Sequence, residues 1–421
     1  MNIISWLKHL IKAEVFEAKG EYGFCLEEWA RAVNKDNAPY KKLINYDAKI
    51  LSIGEKIVAK ENKDFAPKVL PPKVLILTSE IYDSGGHTEL AIRYIQKNNS
   101  KEDLYFALTA FHNASETSAP TKSKELKSVL GSNFIEFDAT KEFDKKVIEI
   151  FNYIKSNGFS KIISNIHMSD TVGCTILGLI KKYSDIEISF WNHGDHFFAL
   201  GTTFADEITT RVKNGSALTP YLKNNKHCTN GRFIIQYDKA KLLTKDEIRE
   251  IRQKLNIPDS AFLTMTGCIL SKVGNDYYHL IDKMLTRDKN IYHLFICPNY
   301  PEKKDKIEKL FKHNPRVIVI GATSEFDKHI QASDLYIDSF PQGSALTLID
   351  YIKYKKPVVV KINTQHPIKS FEEYLYPNYE YAFKSPTAML DGILKLANDK
   401  NEYTRVSEKC FDYFMNYYLK D

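Results

Sequence analysis

DLYIDSFPQGSALTLIDYIKYKKPVVV, residues Asp334 to Val360, decides the fold. Leu335 to Ile337 is a short apolar run of strand type, and Pro341 and Gly343 mark a tight turn. A helix is predicted over Ser344 to Tyr354, and Pro357 opens a β-branched strand, Val358 to Val360. A helix whose first turn follows a Gly-Ser step offers unpaired N–H groups and the positive end of its dipole, a setting that holds a phosphate. Asp350, two turns in, falls where a carboxylate reaches a pair of sugar hydroxyls. Any βα junction can share these features, so the flanking sequence has to decide.

Upstream, the same alternation repeats. Ala261 to Thr266 reads as a strand, Gly267 to Gly274 as a loop and Asp276 to Leu285 as a helix. Ile291 to Cys297 and Arg316 to Ile320 are further strands, with helices at Glu302 to Phe311 and 325–332. This pitch predicts a doubly wound parallel sheet. Thr244 and Glu247, followed by Ile248, Ile251 and Leu255, form a capping box ahead of an apolar stripe, so this domain opens near residue 240. Gly267 allows close approach at a strand end, and Lys272 supplies a cation suited to a diphosphate. An aromatic helix, Val406 to Tyr418, closes the chain.

A second α/β pattern precedes it. Lys73 to Ser79 is a strand, Gly85 and Gly86 permit a close turn, and Leu90, Ala91, Tyr94 and Ile95 stripe the next helix. The glycines do not form the GxGxxG dinucleotide fingerprint. Strands follow at Leu104 to Leu108, Lys161 to Ile166 and Ile186 to Trp191, with helices at 141–156 and 172–182; Arg232 to Tyr237 is a further strand. Two strand ends are rich in ionisable groups, Ile166-His167-Met168-Ser169-Asp170 and Trp191-Asn192-His193-Gly194-Asp195-His196-Phe197. Metal ligation, acid–base chemistry and a hydrogen-bonded structural knot all fit such clusters.

Residues 1–70 are helical in pattern. Ala13, Phe16, Gly20, Cys25 and Trp29 are spaced as in one tetratricopeptide-type hairpin, which reads as a helical cap or a homodimer surface, with docking of an acceptor or a protein partner as the alternative. Pro71 and Pro72 end a stiff linker. The expected divisions are 1–70, 71–240 on the acceptor side and 241–421 on the nucleotide side. The fold class is therefore α/β, with two doubly wound (Rossmann-like) domains facing across a cleft and an N-terminal helical appendage.

The net charge of +6 on 421 residues is mostly lysine spread along helices, so nucleic acid is not an expected partner. Six widely spaced cysteines lack metal-ligand spacing and point to a reducing compartment. Lys8, Lys12 and Glu14 interrupt the N-terminal apolar run, which is no signal peptide, and no run suits a membrane span. The expected location is cytoplasmic, with peripheral contact at the inner membrane face compatible with the charge.

Taken together, residues 73–400 resemble the two-lobed (GT-B-type) glycosyltransferases that use nucleotide-activated sugars. Asp338 to Asp350 is most similar to the donor-binding stretch of the O-linked N-acetylglucosamine transferases and the bacterial cytoplasmic N-glycosyltransferases. Ser84 to His87 and Phe204 to Glu207 resemble the retaining glycosyltransferase group 1, although Gln342 and Asp350 stand where that group has two glutamates. The resemblance implies that Gly343, Ser344 and Thr347 face a diphosphate, with Lys272 as the phosphate lysine and Asp350 on the ribose. It implies a glycosyltransferase moving sugar from a nucleoside diphosphate, UDP favoured, with no metal or other cofactor, and the cytoplasmic character, lysine surface and lack of a membrane span favour a surface-glycan acceptor. His87 is the expected base, with His193 and Asp195 the competing pair. A protein acceptor, a sugar-nucleotide epimerase and a non-catalytic scaffold are the alternatives.

Overall fold

The computed structural model describes residues 3–35, 43–59, 73–82, 86–111, 120–192, 199–210, 227–230, 235, 237–298, 300–362 and 374–419. The chain divides into two compact units, Met1–Gly231 and Arg232–Asp421. Each is built on a parallel sheet, and an N-terminal helical region precedes the first.

Among the described residues the first unit has seven strands: β1 Lys73–Thr78, β2 Asp103–Leu108, β3 Phe134–Ile135, β4 Lys161–Asn165, β5 Glu187–Asn192, β6 Glu207–Thr210 and β7 His227–Asn230. Their order is β3-β2-β1-β4-β5-β6-β7, every pair parallel. Strand β1 is an unbroken apolar run because both its faces are covered. Val74 and Ile76 join one core with Ile92, Ile95 and Leu126, from the helices α4 (Gly86–Asn98) and α5 (Pro120–Leu130). Leu75 and Leu77 join the other core, beneath α6 (Phe143–Asn157) and α7 (Thr171–Tyr183).

The N-terminal helices α1 (Ile3–Lys19), α2 (Tyr22–Lys35) and α3 (Leu43–Ala59) share that second core through Ala13, Leu26, Ile50 and Ile53. The close approach of α3 to α7 depends on Gly54, where a Cβ would lie 2.4 Å from Thr175 Cγ2. Asp47 of α3 is fully buried and accepts hydrogen bonds from Gly201 N (2.9 Å), Thr203 N (3.2 Å) and Thr203 Oγ1 (2.6 Å). Strands β3, β6 and β7 were not foreseen, being two to four residues long and, in β6 and β7, rich in polar residues.

Among the described residues the second unit has six strands: β8 Phe262–Gly267, β9 Ile291–Ile296, β10 Val317–Ile320, β11 Leu335–Ile337, β12 Val358–Lys361 and β13 Ala382–Phe383. Their order is β10-β9-β8-β11-β12-β13, again all parallel. The capping box forms as the sequence predicts, with Thr244 and Glu247 exchanging bonds at the start of Lys245–Lys254. The helix Pro386–Asn398 was not foreseen, although Ser385 and Pro386 are standard start signals; Ser385 Oγ accepts from Ala388 N at 3.2 Å. The closing helix starts earlier than its aromatic stripe implies, at Lys400 under an Asp399 cap, and ends in a π-helical turn, Phe414–Tyr418. The predicted strand at Arg232 to Tyr237 falls largely outside the described residues.

Cys25, Cys174, Cys268, Cys297 and Cys410 are buried free thiols. Among the described residues no helix is long and apolar enough to cross a membrane.

Candidate functional site

Each sheet reverses its winding once. In the first unit the chain runs from β1 outward to β3 and returns to β4; in the second it runs from β8 outward to β10 and returns to β11. Open α/β sheets bind ligands outside the carboxyl ends of the strands at such a reversal, because the two following loops diverge and leave a crevice. The sequence-predicted residues can be placed against these two points.

In the second unit the loops after β8 and β11 are knitted together. Gly274 N donates to Phe340 O (2.9 Å), Gln342 N donates to Lys272 O (3.3 Å), and Val273 bridges Pro341 antiparallel. The lysine loop and the turn through Gly343 therefore form one local structure. Its organiser is Asp338, which is buried and whose Oδ1 accepts from Ser339 N (3.0 Å), Ser344 N (2.9 Å) and Ser344 Oγ (2.6 Å). Burial pushes this carboxyl up to about 7, against the opposite pull of its hydrogen bonds and of the Lys272 ammonium.

This arrangement corrects the predicted helix start. With its N–H held by Asp338, Ser344 stands before the helix, which spans Leu346–Lys353. Among the described residues the N–H groups of Ala345, Leu346 and Thr347 find no acceptor, and Leu348 N is the first to bond, to Ala345 O at 3.1 Å. The Thr347 hydroxyl and the Lys272 ammonium likewise make no hydrogen bond or ion pair among the described residues. An uncapped helix start, a hydroxyl and an ammonium together suit an anion.

Three other predicted residues have structural roles as well. A Cβ on Gly267 would lie 2.7 Å from the ring tip of the half-buried Phe326, so the absence of a side chain here gives that ring its room. Gly343 is buried in the turn. Asp350 is largely buried, and its Oδ1 lies 3.3 Å from Lys353 Nζ, which in turn reaches Asp327 Oδ2 at 3.5 Å.

In the first unit, the strand end at His167 to Asp170 is a hydrogen-bonded knot. Asp170 is buried and accepts from Ser79 Oγ (2.5 Å), Thr109 Oγ1 (2.6 Å) and Gly173 N (2.7 Å), the last capping α7. Ser79 Oγ also receives His167 N at 2.7 Å. His87 lies beside it, at the reversal between β1 and β4. Its Nε2 is 2.5 Å from Asn165 O and 3.3 Å from Thr78 Oγ1. A carbonyl only accepts, so Nε2 carries the proton and the lone pair lies on Nδ1. Burial lowers the His87 pKa, so the ring is neutral. Gly86 opens α4, whereas Gly85, His193 and Asp195 lie outside the described residues.

Asp338 and Asn165 were missed as site residues. Asn165 is fully buried, its Oδ1 has no partner among the described residues, and its Nδ2 donates to His87 O at 3.1 Å. For Asp338 a signal existed: an Asp directly after an apolar strand, followed by Ser and Pro, is a turn-forming pattern. Asn165 was passed over because it falls within the predicted strand Lys161 to Ile166, whereas it is the last residue of β4. Among the described residues no group of three or more His, Cys, Asp or Glu side chains could hold a metal ion.

Comparison with protein-family models and with curated protein sequences gives no match. Solved structures do match in fold. Anabaena Alr3699/HepE, in complex with UDP and glucose, aligns over 82% of this chain and 95% of its own at 12% identity, with a TM-score of 0.63. A mutant of the Thermobaculum terrenum O-GlcNAc transferase aligns over 100% of this chain and 82% of its own, at 12% identity and a TM-score of 0.56. UDP-GlcNAc 2-epimerase from Neisseria meningitidis, bound to UDP-GlcNAc, aligns over 83% of this chain and 100% of its own at 12% identity, TM-score 0.52. At this identity the likeness is one of fold.

Proposed function

We propose that this chain is a glycosyltransferase that takes its sugar from a nucleoside diphosphate, UDP favoured, and delivers it to a glycan acceptor without a bound metal. The observation that carries this reading lies at the sheet reversal of the second unit: among the described residues the amides of Ala345, Leu346 and Thr347 have no acceptor, and the turn before them is tied by backbone bonds to the loop that carries Lys272, whose ammonium has no ion pair among those residues. The neighbours in fold support it, since HepE was solved with UDP and glucose and the epimerase with UDP-GlcNAc.

Cleaving the bond between sugar and diphosphate leaves a more negative diphosphate. Amides, the Thr347 hydroxyl and the Lys272 ammonium stabilise that developing charge more than the ground state, which lowers the barrier. Asp338 acts indirectly: it holds the turn through Ser339 and Ser344 so that the next three amides stay open. Gly343 gives the turn its compactness, and Asp350 is assigned to the ribose hydroxyls while its other contact runs to Lys353. The acceptor-side base is assigned to His87 through Nδ1, the nitrogen left with a lone pair by the bond to Asn165 O.

The fold likeness to the epimerase favours one second reading, a sugar-nucleotide epimerase, which needs no acceptor. A thermal-shift panel of nucleoside diphosphates, run on wild type and on Lys272→Ala, tests both. Stabilisation by UDP that shrinks in the variant is expected. No shift with any nucleoside diphosphate would overturn the proposal, and UDP-sugar turnover without acceptor would favour the epimerase.

A further inference from the structure

Helix α1 carries a surface feature that sugar transfer does not use. Four of the eight large exposed apolar side chains among the described residues lie on it: Ile4 (82% exposed), Leu7 (48%), Ile11 (53%) and Val15 (47%). Spacings of three, four and four residues put them on one helical face, a stripe roughly 16 Å long at 1.5 Å per residue. The stripe cannot turn inward, because the opposite face of α1 is already committed. Ala13 is fully buried there, His9 Nδ1 lies 2.6 Å from Glu28 Oε2, and Glu17 binds Lys49 and Lys56, each at 2.7 Å.

Charge says what covers the stripe. Lys8, Lys12 and Lys19 are exposed, follow one another along one edge, and make no ion pair among the described residues. The other edge carries one exposed carboxylate, Glu14. A second copy docked antiparallel across a two-fold axis would set lysine edge against lysine edge. A stable protein interface also takes about 20–30 residues a side, far more than one stripe supplies. An apolar face rimmed by lysines matches a bilayer surface, with side chains entering the acyl boundary and ammonium groups at the phosphates.

We infer that α1 docks the protein on an anionic phospholipid surface, through Ile4, Leu7, Ile11 and Val15 with Lys8, Lys12 and Lys19 at the headgroups. The docking is reversible, as expected for so small an apolar face. It does not depend on the nucleotide-sugar reading.

The test is co-sedimentation of the full chain with vesicles of phosphatidylcholine alone and of phosphatidylcholine mixed with phosphatidylglycerol. Binding to the anionic vesicles only is expected. Leu7→Gln with Ile11→Gln, and separately Lys8→Gln with Lys12→Gln, should each weaken it about tenfold. Unchanged melting temperatures are expected, since all four side chains are exposed. No binding to anionic vesicles, or equal binding by wild type and variants, overturns the inference. So does a two-chain mass in light scattering that falls to one chain in Leu7→Gln with Ile11→Gln, because a second copy then covers the stripe.

Discussion

Replacing Gly54 with alanine probes how the N-terminal helices are joined to the first sheet. The new methyl would lie 2.4 Å from Thr175 Cγ2 and 3.6 Å from two Leu179 carbons. Carbon atoms rest at about 3.5–4.0 Å, so one of the two helices must move by more than about 1 Å. Thr175 cannot easily turn aside, because it is fully buried and its hydroxyl donates to Thr171 O at 2.7 Å. Overpacking of this kind costs about 1–3 kcal/mol. Alanine returns about 0.5–1 kcal/mol over glycine inside a helix. The net loss should be about 1–2 kcal/mol, or about 2–8 °C in melting temperature for a unit of this size. Differential scanning calorimetry of the full chain reads it. Thr175→Ser removes the opposing methyl and keeps the hydroxyl, so adding Gly54→Ala to it should cost little, a coupling of about 1–2 kcal/mol in a double-mutant cycle. A Gly54→Ala protein that melts at or above wild type, or additive losses in the cycle, would refute the packing of α3 on α7.

Other outcomes follow from the same geometry. Burial raises Asp47 to about 6 from its ordinary 3.8, so the folded chain holds that proton more tightly than the unfolded one. Its contribution is therefore full below about pH 4 and lost as pH rises through about 6, by up to about 3 kcal/mol, and Asp47→Asn should flatten this part of the pH–stability curve. Asp338→Ala should release the turn at Ser344 and weaken nucleotide binding by about tenfold in calorimetric titration, from loss of the two bonds that hold Ser344. Gly267→Ala brings a methyl against the ring tip of the half-buried Phe326, which has room to turn aside, so it should cost less than Gly54→Ala, measured by denaturant unfolding. If His87 is the base, His87→Gln should lower kcat about 100-fold or more while leaving KM for the donor nearly unchanged.

Alternation of apolar runs with amphipathic stripes made both α/β sheets legible, because continuous runs such as Val74 to Leu77 are what a doubly covered strand requires. The capping box at Thr244 was legible for the same local reason. Short strands at a sheet edge, such as β3 and β13, carry too few residues for a period to show. The docking of α3 on α7 was hidden because a glycine in a helical pattern does not announce what approaches it. At the candidate site, Gly343 and Lys272 were proposed from residue type and position, and Thr347 from the family resemblance alone. The helix start was misplaced by two residues because Asp338 reaches forward six positions to hold Ser344, a contact that no pattern encodes.

The most direct measurement is a crystal structure of the protein grown with UDP. The diphosphate should lie within hydrogen-bonding distance of the amides of Leu346 and Thr347, with the Lys272 ammonium beside it. A nucleotide bound elsewhere, with these amides facing water or filled by the protein's own side chains, would contradict the assignment of this turn as the seat of the leaving group.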